Sequence, residues 1–444
     1  MAGDKTALAR QHPTPLDRRM PHSPPQGAAA SQKFFGWAVL PSLTYSLFVG
    51  AGFIFYAMSV LLEGLVTTHG FSVAEISAAN TIFLLVSGLA GIAVGELIAR
   101  YDVRWTVCVG TGLIALAYWL LPLALSLPQI YAIYVLLGFG YAMTALLPAT
   151  TVVARWFVRR RALALALTQS GLSLGGIILT PLLARDLAAH GLTALQEPLF
   201  LVIILANIPL CVWLMRPDPQ SMGQHPDGDK ADPAGARAAD GMRAATALRS
   251  RFFRYAALAA FLALLAQVGT IAHVYNWALT RAGAEQAAGM VALLALASFT
   301  GRLVCGAVLD RLDLQRFAVT LYVMQAAILL VMAFIATPFG VALTVLAFGL
   351  TVGNILMLQP LLVGAAFGMR DYPRLLGYFQ FLMNFGVALG PVMMGVIFDA
   401  SPEEGYRNAF VAVAVAAFCA ALCLLRAGPT WRAAQTPPAR EGKR

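Results

Sequence analysis

Two short stretches decide how this chain folds: GELIARYDVR at residues 95–104 and GAVLDRLDLQR at residues 306–316. Each stretch follows a long apolar run. The positions that recur with identical spacing are Gly95, Arg100 and Asp102 in the first copy and Gly306, Arg311 and Asp313 in the second. A repeat of this kind at matching places predicts two halves with the same architecture.

The composition is that of a membrane protein. The 444 residues are 59% hydrophobic and only 12% charged, with a mean hydropathy of +0.73, whereas a soluble domain carries about twice that share of charge. Apolar stretches of roughly 20 residues recur along the chain, each long enough to cross a hydrocarbon core of about 30 Å as a helix. They do not alternate apolar with polar residues as β-barrel strands do. The sequence predicts an all-α membrane protein.

The apolar runs predict twelve transmembrane helices in two pseudo-symmetric six-helix bundles. The first bundle, residues 34–215, contains spans 36–66, 73–99, 104–126, 129–154, 162–184 and 198–215. The second, residues 251–426, contains spans 253–280, 286–309, 316–337, 339–368, 375–398 and 405–425. Residues 216–250 are polar and rich in Pro, Gly and Arg, which predicts a linker. Residues 1–33 and 427–444 are expected to be tails, the first of them disordered.

The net charge of +10 follows the predicted topology. Of the 31 Lys and Arg residues, three (Arg185, Arg281 and Arg407) fall in segments on the outer side, and Arg302 lies within a span. This asymmetry predicts that both termini and residues 216–250 are cytoplasmic. The basic excess favours contact with anionic lipid rather than nucleic acid. The abundance of Arg and Ala indicates a bacterial origin, hence an inner membrane.

Motifs of catalysis are missing from the sequence. The five cysteines lie in apolar runs without metal-ligand spacing, and no Walker loop, dinucleotide fingerprint or metal cluster occurs. We therefore expect no enzymatic activity, no cofactor and no metal.

The two repeated loops resemble the loop signature of the major facilitator superfamily, which runs Gly, three residues, Asp, Arg. The second copy matches it at Gly306, Asp310 and Arg311, whereas the first has Ala99 in place of the Asp. The resemblance implies a secondary transporter that works by alternating access. Without an acid at position 99, Glu96 is a candidate partner for Arg155 at the end of span 4.

A narrower resemblance is to the monocarboxylate transporter and oxalate–formate antiporter branch. It rests on Gly36-Trp37, on His69-Gly70-Phe71-Ser72, on the segment from Arg155 to Gly176 and on Leu389-Gly390-Pro391 with Asp399. It implies a small organic anion, a monocarboxylate, as substrate, with proton coupling or exchange. We expect the protein to be monomeric.

Arg302 is the main candidate for the substrate site. It lies eight residues before Asp310, about 12 Å inside the membrane helix, where a charge costs at least about 2.5–3.5 kcal/mol. Its planar fork matches a carboxylate in bidentate fashion, and its position resembles that of the substrate-binding Arg of the branch. The structural alternative is a buried Arg bonded to carbonyls or to an internal acid.

The acids and cations that accompany this Arg in the branch are absent here. Ser298 stands where the proton-coupled carriers have an Asp, and Met383 or Asn384 where the oxalate–formate branch has a second cation. A single fixed cation suits one carboxylate better than two. His273 in span 7 could carry a proton or could equally form a structural hydrogen bond.

The remaining candidates are polar residues of the spans, each of which could instead bond between helices. They are Tyr45, Asn80, Tyr141, Thr144, Gln267, Asn354, Gln359, Gln380 and Asn384. Two other functions stay open. An exporter of drug-like or amphiphilic compounds would have a more aromatic cavity, and a membrane sensor would bind solute without moving it.

Overall fold

The computed structural model describes residues 33–229, 241–404 and 406–428. The chain divides into two units, residues 1–34 and 35–444, and the helices discussed here lie in the second. Most of the predicted N-terminal tail, the middle of the predicted linker and most of the C-terminal tail fall outside the described residues.

Twelve membrane helices run through the described residues. The first six are α1 (Gly36–Gly50 and Ala57–His69, joined by the π-helical turn Ala51–Phe55), α2 (Val73–Arg100), α3 (Val103–Leu120), α4 (Leu127–Thr144 and Leu146–Trp156), α5 (Arg161–Leu174 and Thr180–His190, joined by the π-helical turn Gly175–Leu179) and α6 (Pro198–Leu205 and Asn207–Trp213). The others are α7 (Arg251–Ala282), α8 (Ala284–Val308), α9 (Leu314–Phe334), α10 (Pro338–Phe367), α11 (Tyr372–Ala400) and α12 (Arg407–Arg426).

These helices agree with the twelve predicted spans. In the described ranges, eleven of them are long and apolar enough to cross a membrane, and Pro198–Trp213 is a shorter apolar helix. Two separate hydrophobic cores form. One lies within residues 49–204 and includes Phe53, Tyr118 and Phe200. The other lies within residues 266–417 and includes Trp277 and Phe410.

Proline accounts for the break in α4. Pro148 has no N–H to donate to the Thr144 carbonyl one turn earlier, and the helix is interrupted at Ala145. The Ser46 hydroxyl of α1 donates to the freed Thr144 carbonyl at 2.7 Å. Because a neighbouring helix supplies the missing donor, the break is tolerated inside an apolar bundle.

Matching glycine contacts relate the two bundles. In the first, α5 lies directly against the backbone of α1, and in the second α11 lies in the same way against α7. A Cβ atom added at Gly171 would lie 2.1 Å from the Thr44 carbonyl oxygen, and one added at Gly175 would lie 2.3 Å from the Phe48 carbonyl oxygen. In the second bundle, the corresponding distances are 2.4 Å from Gly386 to the Phe261 oxygen and 2.3 Å from Gly390 to the Leu265 oxygen. The four-residue spacing is the same in all four helices, so the internal repeat extends to backbone packing.

Successive helices alternate in direction, so the starts of the odd-numbered helices and the ends of the even-numbered helices share one face. We call it the linker face, because residues 216–229 and 241–250 lie there, and we call the other the opposite face. The described linker residues include the short helix Ala244–Arg249 and two 3-10 turns, Gln220–Met222 and Pro226–Gly228. Met242 N–H donates to the Phe367 carbonyl at 2.9 Å, which ties the linker to the end of α10.

Candidate functional site

Arg302 bridges the two bundles from α8, six residues before that helix ends at Val308. It is 5% exposed on α8. Its Nε donates to the Gly353 carbonyl of α10 at 3.3 Å, and its Nη1 donates to the Gln169 carbonyl of α5. The guanidinium of a second-bundle helix therefore reaches a first-bundle helix at the interface between them.

Glycines bring α8 and α10 together beside this arginine. A Cβ at Gly353 would lie 2.4 Å from the Ser298 carbonyl and 3.1 Å from the Arg302 side chain, and a Cβ at Gly301 would lie 2.7 Å from the Leu350 carbonyl. A larger residue at either position would separate the helices. The close crossing keeps the Gly353 carbonyl within reach of Nε.

The arginine keeps unused donors. A guanidinium has five N–H groups, and two of them are used in the bonds to Gly353 and Gln169. No hydrogen bond from Nη2, and no ion pair with Asp or Glu, is found within the described ranges. Backbone carbonyls thus hold the group in place, as the structural alternative proposed, while leaving its positive charge without a counter-ion among the described residues.

Tyr56 of α1, which the sequence interpretation did not include, lies near Arg302. Its hydroxyl is within electrostatic range of the guanidinium, and it is also within range of Tyr141 on α4. The ring packs over Gly176, where an added Cβ would lie 2.8 Å from it. Tyr56 is 43% exposed. We call Tyr56, Tyr141 and Phe83 the aromatic wall, in which the rings of Tyr141 and Phe83 are 5.4 Å apart.

A π-helical turn separates Tyr45 from Tyr56. Eleven residues make just over three turns of a regular α-helix, which would put both tyrosines on one face. The turn Ala51–Phe55 adds a residue and rotates the rest of α1 by about 100°. Tyr45 therefore turns to α6, where its hydroxyl donates to the Ile203 carbonyl at 2.8 Å. Tyr56 faces the other bundle.

Two of the other candidates bond between helices. Asn384 donates to the Ser87 hydroxyl across the bundles at 3.3 Å, and Gln359 donates to the Tyr322 hydroxyl at 2.9 Å. Thr144 and Asn354 bond within their own helices. Asn354 follows Gly353, whose carbonyl Arg302 contacts, and its Oδ1 is buried without a partner, as are Asn80 Oδ1 and Gln267 Oε1. Gln380 is half-buried on α11.

Gln169 is a second residue that the sequence interpretation missed. It is fully buried, its backbone carbonyl accepts the bond from Arg302, and neither polar atom of its amide has a partner.

The described contacts between the bundles lie in the half nearer the linker face. There Gly95 of α2 meets Pro373 of α11, and a Cβ at Gly377 would lie 2.5 Å from the Gly91 carbonyl. On the other side of the interface, Gly306 of α8 meets Ala166 of α5. These contacts close the interface between Arg302 and the linker face.

Residues 43–367 match the Major Facilitator Superfamily. The chain belongs to this superfamily. Its homologues and fold are those of membrane transporters, so it is a transporter with twelve helices in two bundles and not an enzyme. The alternative of a sensor that does not move solute is set aside.

Individual relatives are distant. Uncharacterized MFS-type transporter YcxA of Bacillus subtilis (strain 168) is 28% identical over 150 residues, 34% of this chain and 37% of that protein. Monocarboxylate transporter 11 of Homo sapiens is 26% identical over 413 residues, 89% of this chain and 83% of that protein.

Solved structures of the superfamily share the fold. The E. coli fucose:proton symporter FucP is similar with a TM-score of 0.68 at 18% identity, covering 89% of this chain and 98% of that one. FucP in the outward conformation gives 0.67 at 16% identity, covering 88% and 99%. The human organic anion transporter MFSD10 gives 0.66 at 14% identity, covering 88% and 99%.

The superfamily loop signature is used differently in the two halves. In the second copy, Asp310 accepts the Ala162 N–H at 2.9 Å and so holds the start of α5, while Arg311 is exposed. In the first copy, Asp102 caps α3 by accepting the Arg104 N–H at 2.9 Å, and Arg100 pairs with Glu96. The signature Asp thus reaches across the interface in the second copy, and Ala99 offers no acid at that position in the first.

The suggested pairing of Glu96 with Arg155 is wrong. Glu96 forms two hydrogen bonds with Arg374 at the start of α11, one of them 3.0 Å long. Arg155 instead donates to the Ile98 and Pro217 carbonyls at 3.3 and 3.4 Å. The ion pair that joins the bundles at the first copy of the loop is therefore Glu96–Arg374. Its acid lies one position after Gly95, whereas the signature Asp would lie four positions after it.

Reversing the charge of Arg374 should loosen the linker face. Arg374→Glu would place acids at positions 371, 374 and 96 together. Because the native pair is about one-third exposed, we expect the population of molecules open at the linker face to increase by only about 2- to 5-fold. In a cysteine-free background, a cysteine replacing Thr151 should react faster with a maleimide.

The exchange Glu96→Arg with Arg374→Glu should restore slow labelling. Arg100→Gln is the matched control, because it removes only the bond within the first-copy loop. Equal labelling of the native and Arg374→Glu proteins would contradict a closing role for the pair.

His273 links three helices of the second bundle. Its Nε2 is 3.0 Å from the Pro391 carbonyl of α11, and its Nδ1 is 3.3 Å from the Tyr406 hydroxyl just before α12. A carbonyl only accepts, so Nε2 carries a hydrogen. In the neutral ring, Nδ1 accepts from Tyr406.

Proposed function

We propose that this transporter moves a small organic anion, a monocarboxylate, by alternating access, with the carboxylate bound to Arg302. The observation that supports this most is a buried arginine at the bundle interface with no acid paired to it among the described residues and with unused donors. An anion leaving water needs its charge met by such a group.

The surroundings suit a carboxylate with a small apolar body. The remaining N–H groups of Arg302 can donate to both carboxylate oxygens. Asn354 offers an unpaired oxygen to a hydroxyl of the substrate, and the Tyr56–Tyr141 wall provides apolar contact with polar ends. Because Asn354, Tyr56 and Tyr141 are neutral and Arg302 carries one positive charge, the site favours a substrate with a single negative charge.

The name of one relative, Monocarboxylate transporter 11, agrees with this substrate class. The organic anion transporter MFSD10 is 14% identical, so its likeness supports the fold alone. FucP is named as a fucose:proton symporter, and its likeness supports the fold alone. The proposal therefore rests on the Arg302 site, and the name of that one relative is secondary support.

Proton coupling, if used, would involve His273. Ser298 cannot ionise, and no acid pairs with Arg302 among the described residues. Imidazole changes charge near neutral pH. Protonation of Nδ1 would turn Tyr406 from donor to acceptor and rearrange its hydrogen bond with Asn276, which would couple the charge of α7 to α12.

His273→Gln should flatten the pH dependence of uptake. A Gln side chain can still donate to the Pro391 carbonyl and accept from Tyr406, but it cannot titrate. Uptake should be measured from pH 5.5 to 8.5 in vesicles with equal amounts of inserted protein. Tyr406→Phe should weaken the pH dependence as well, because it keeps the imidazole but removes the hydroxyl through which its charge would act on α12. An unchanged profile in His273→Gln would leave the residue with its structural role.

We also propose the predicted orientation: a bacterial inner membrane, with the linker face cytoplasmic and surrounded by anionic lipid, and a monomer with bundles at residues 34–215 and 251–426. The contacts that close the bundle interface would then lie on the cytoplasmic side.

A cysteine replacing the exposed Gln220 should resist an impermeant reagent applied to intact cells, and rapid labelling would contradict this orientation.

A second candidate is export of aromatic amphiphilic compounds, favoured by the Tyr56–Tyr141–Phe83 wall. Uptake of labelled monocarboxylates into proteoliposomes, with imposed pH gradients or counter-substrate, distinguishes the two. We expect saturable uptake of at least one monocarboxylate and weak competition by neutral amphiphiles. Competition by the amphiphiles alone would favour export.

A further inference from the structure

The first copy of the repeated loop lacks a carboxylate that the second copy uses. Asp310 accepts the Ala162 N–H at the start of α5. The start of α11 is the corresponding place in the other half, and its capping residue Asp371 makes no side-chain cap there. Ala99, which replaces the loop Asp, ends in a methyl group.

A cavity of about 120 Å³ lies at this position on the linker face. Ala99 forms part of its wall with Thr151 and Arg155 of α4 and with the residues from Met369 to Arg374 that begin α11. It is separate from the Arg302 site, none of whose residues line it. The space is large enough for a small oxyanion.

The lining is positively charged. Arg155, Arg370 and Arg374 line the cavity together with one acid, Asp371. Both oxygens of Asp371 are engaged, Oδ1 by Arg374 at 3.1 Å and Oδ2 by the Ala244 N–H at 2.8 Å. Nearby Glu96 is likewise engaged by Arg374 and Arg100. These acids are already paired.

Arg155 and Arg370 are the two lining cations without an ion pair among the described residues, and Arg370 is exposed. The two bonds of Arg155 go to carbonyls and are long, 3.3 and 3.4 Å, and the described Asp102 and Asp218 act on it only through space. Three of its five N–H groups remain. A guanidinium in this state suits a carboxylate or phosphate oxygen pair.

We infer that this cavity is a second anion site, in which a small oxyanion held by Arg155 takes the place of the missing loop carboxylate and stabilises the closed linker face. The oxyanion is a free carboxylate or phosphate, or the phosphate of a lipid headgroup. The site does not depend on the proposed substrate, because it shares no residue with the Arg302 site.

Thermal unfolding of the purified full chain tests the inference. Sodium phosphate is titrated at constant ionic strength against sodium chloride, and sodium formate is titrated in the same way only in an Arg302→Ala background, because the Arg302 site is itself proposed to bind monocarboxylates. The native protein should gain roughly 3–5 °C in Tm, with saturation. Ala99→Asp should have the higher Tm without added anion and should not respond further. Arg155→Gln should also fail to respond, while Arg302→Ala should respond like the native protein.

Vesicles distinguish the two sources of the anion. If phosphate and formate have no effect but phosphatidylglycerol stabilises the native protein more than Ala99→Asp, the ligand is a lipid headgroup. The inference is overturned if Ala99→Asp and the native protein respond equally to every anion, or if neither responds. Ala99→Asp keeps every native arginine. Its comparison with the native protein therefore tests the inference even if Arg155→Gln fails to fold.

Discussion

Arg302→Ala should abolish carboxylate transport in protein that is still inserted and monodisperse. The substitution removes the cation that meets the carboxylate and leaves that anion desolvated without a partner. Removing one partner of such a pair costs about 2–5 kcal/mol, roughly 30- to 4000-fold in affinity. Uptake in proteoliposomes at several substrate concentrations measures the loss.

Arg302→Lys provides the graded comparison. It retains the charge but not the planar fork or the simultaneous reach to Gly353 and Gln169, so uptake should be weakened without being lost. Near-normal affinity in folded Arg302→Ala would show that the anion binds elsewhere. Equal loss in both variants would indicate that the bridge to the two carbonyls matters more than the charge.

Gly171→Val and Gly386→Val should each destabilise the fold severely. The Cβ atoms would lie 2.1 and 2.4 Å from the carbonyls of Thr44 and Phe261. Since these are backbone atoms in neighbouring helices, no side chain can move aside. We expect each to cost about 3 kcal/mol or more, seen as a large drop in Tm or loss of the monodisperse peak.

Gly112→Val is the matched control. It is also a glycine in a membrane helix, α3, but an added Cβ would find no atom within 4 Å. Its Tm should therefore change little. If Gly171→Val were as stable as Gly112→Val, the direct backbone packing of α1 against α5 would be contradicted.

The architecture could be predicted from the sequence because it follows from local patterns. Apolar runs of membrane length indicate the helices, and the recurrence of Gly95 as Gly306 indicates two equivalent halves. The depth of Arg302 required only its distance from Asp310 and the rise of a helix. Its contacts with the carbonyls of Gln169 and Gly353 could not be predicted, because they depend on which helices adjoin α8.

The missed features depend on irregular geometry or distant contacts. Tyr45 is a candidate from the sequence and Tyr56 is not, but the π-helical turn between them places Tyr45 against α6 and Tyr56 near Arg302. Glu96 and Arg374 are separated by 278 positions, and only the packing of α2 on α11 makes them partners. The assignment of Glu96 to Arg155 used proximity to the linker face alone, which many residues share.

A comparison of one monocarboxylate with its primary amide tests the central claim most directly. The amide keeps the shape and loses the charge, so binding of both ligands to native protein and to Arg302→Ala gives a thermodynamic cycle for the carboxylate–arginine interaction. Isothermal titration of the monodisperse proteins should show the native protein preferring the acid by about 100-fold or more, and that preference should fall to near unity in Arg302→Ala. A native protein that binds acid and amide equally, or an acid preference that survives in Arg302→Ala, would contradict the assignment of Arg302 as the anion's partner.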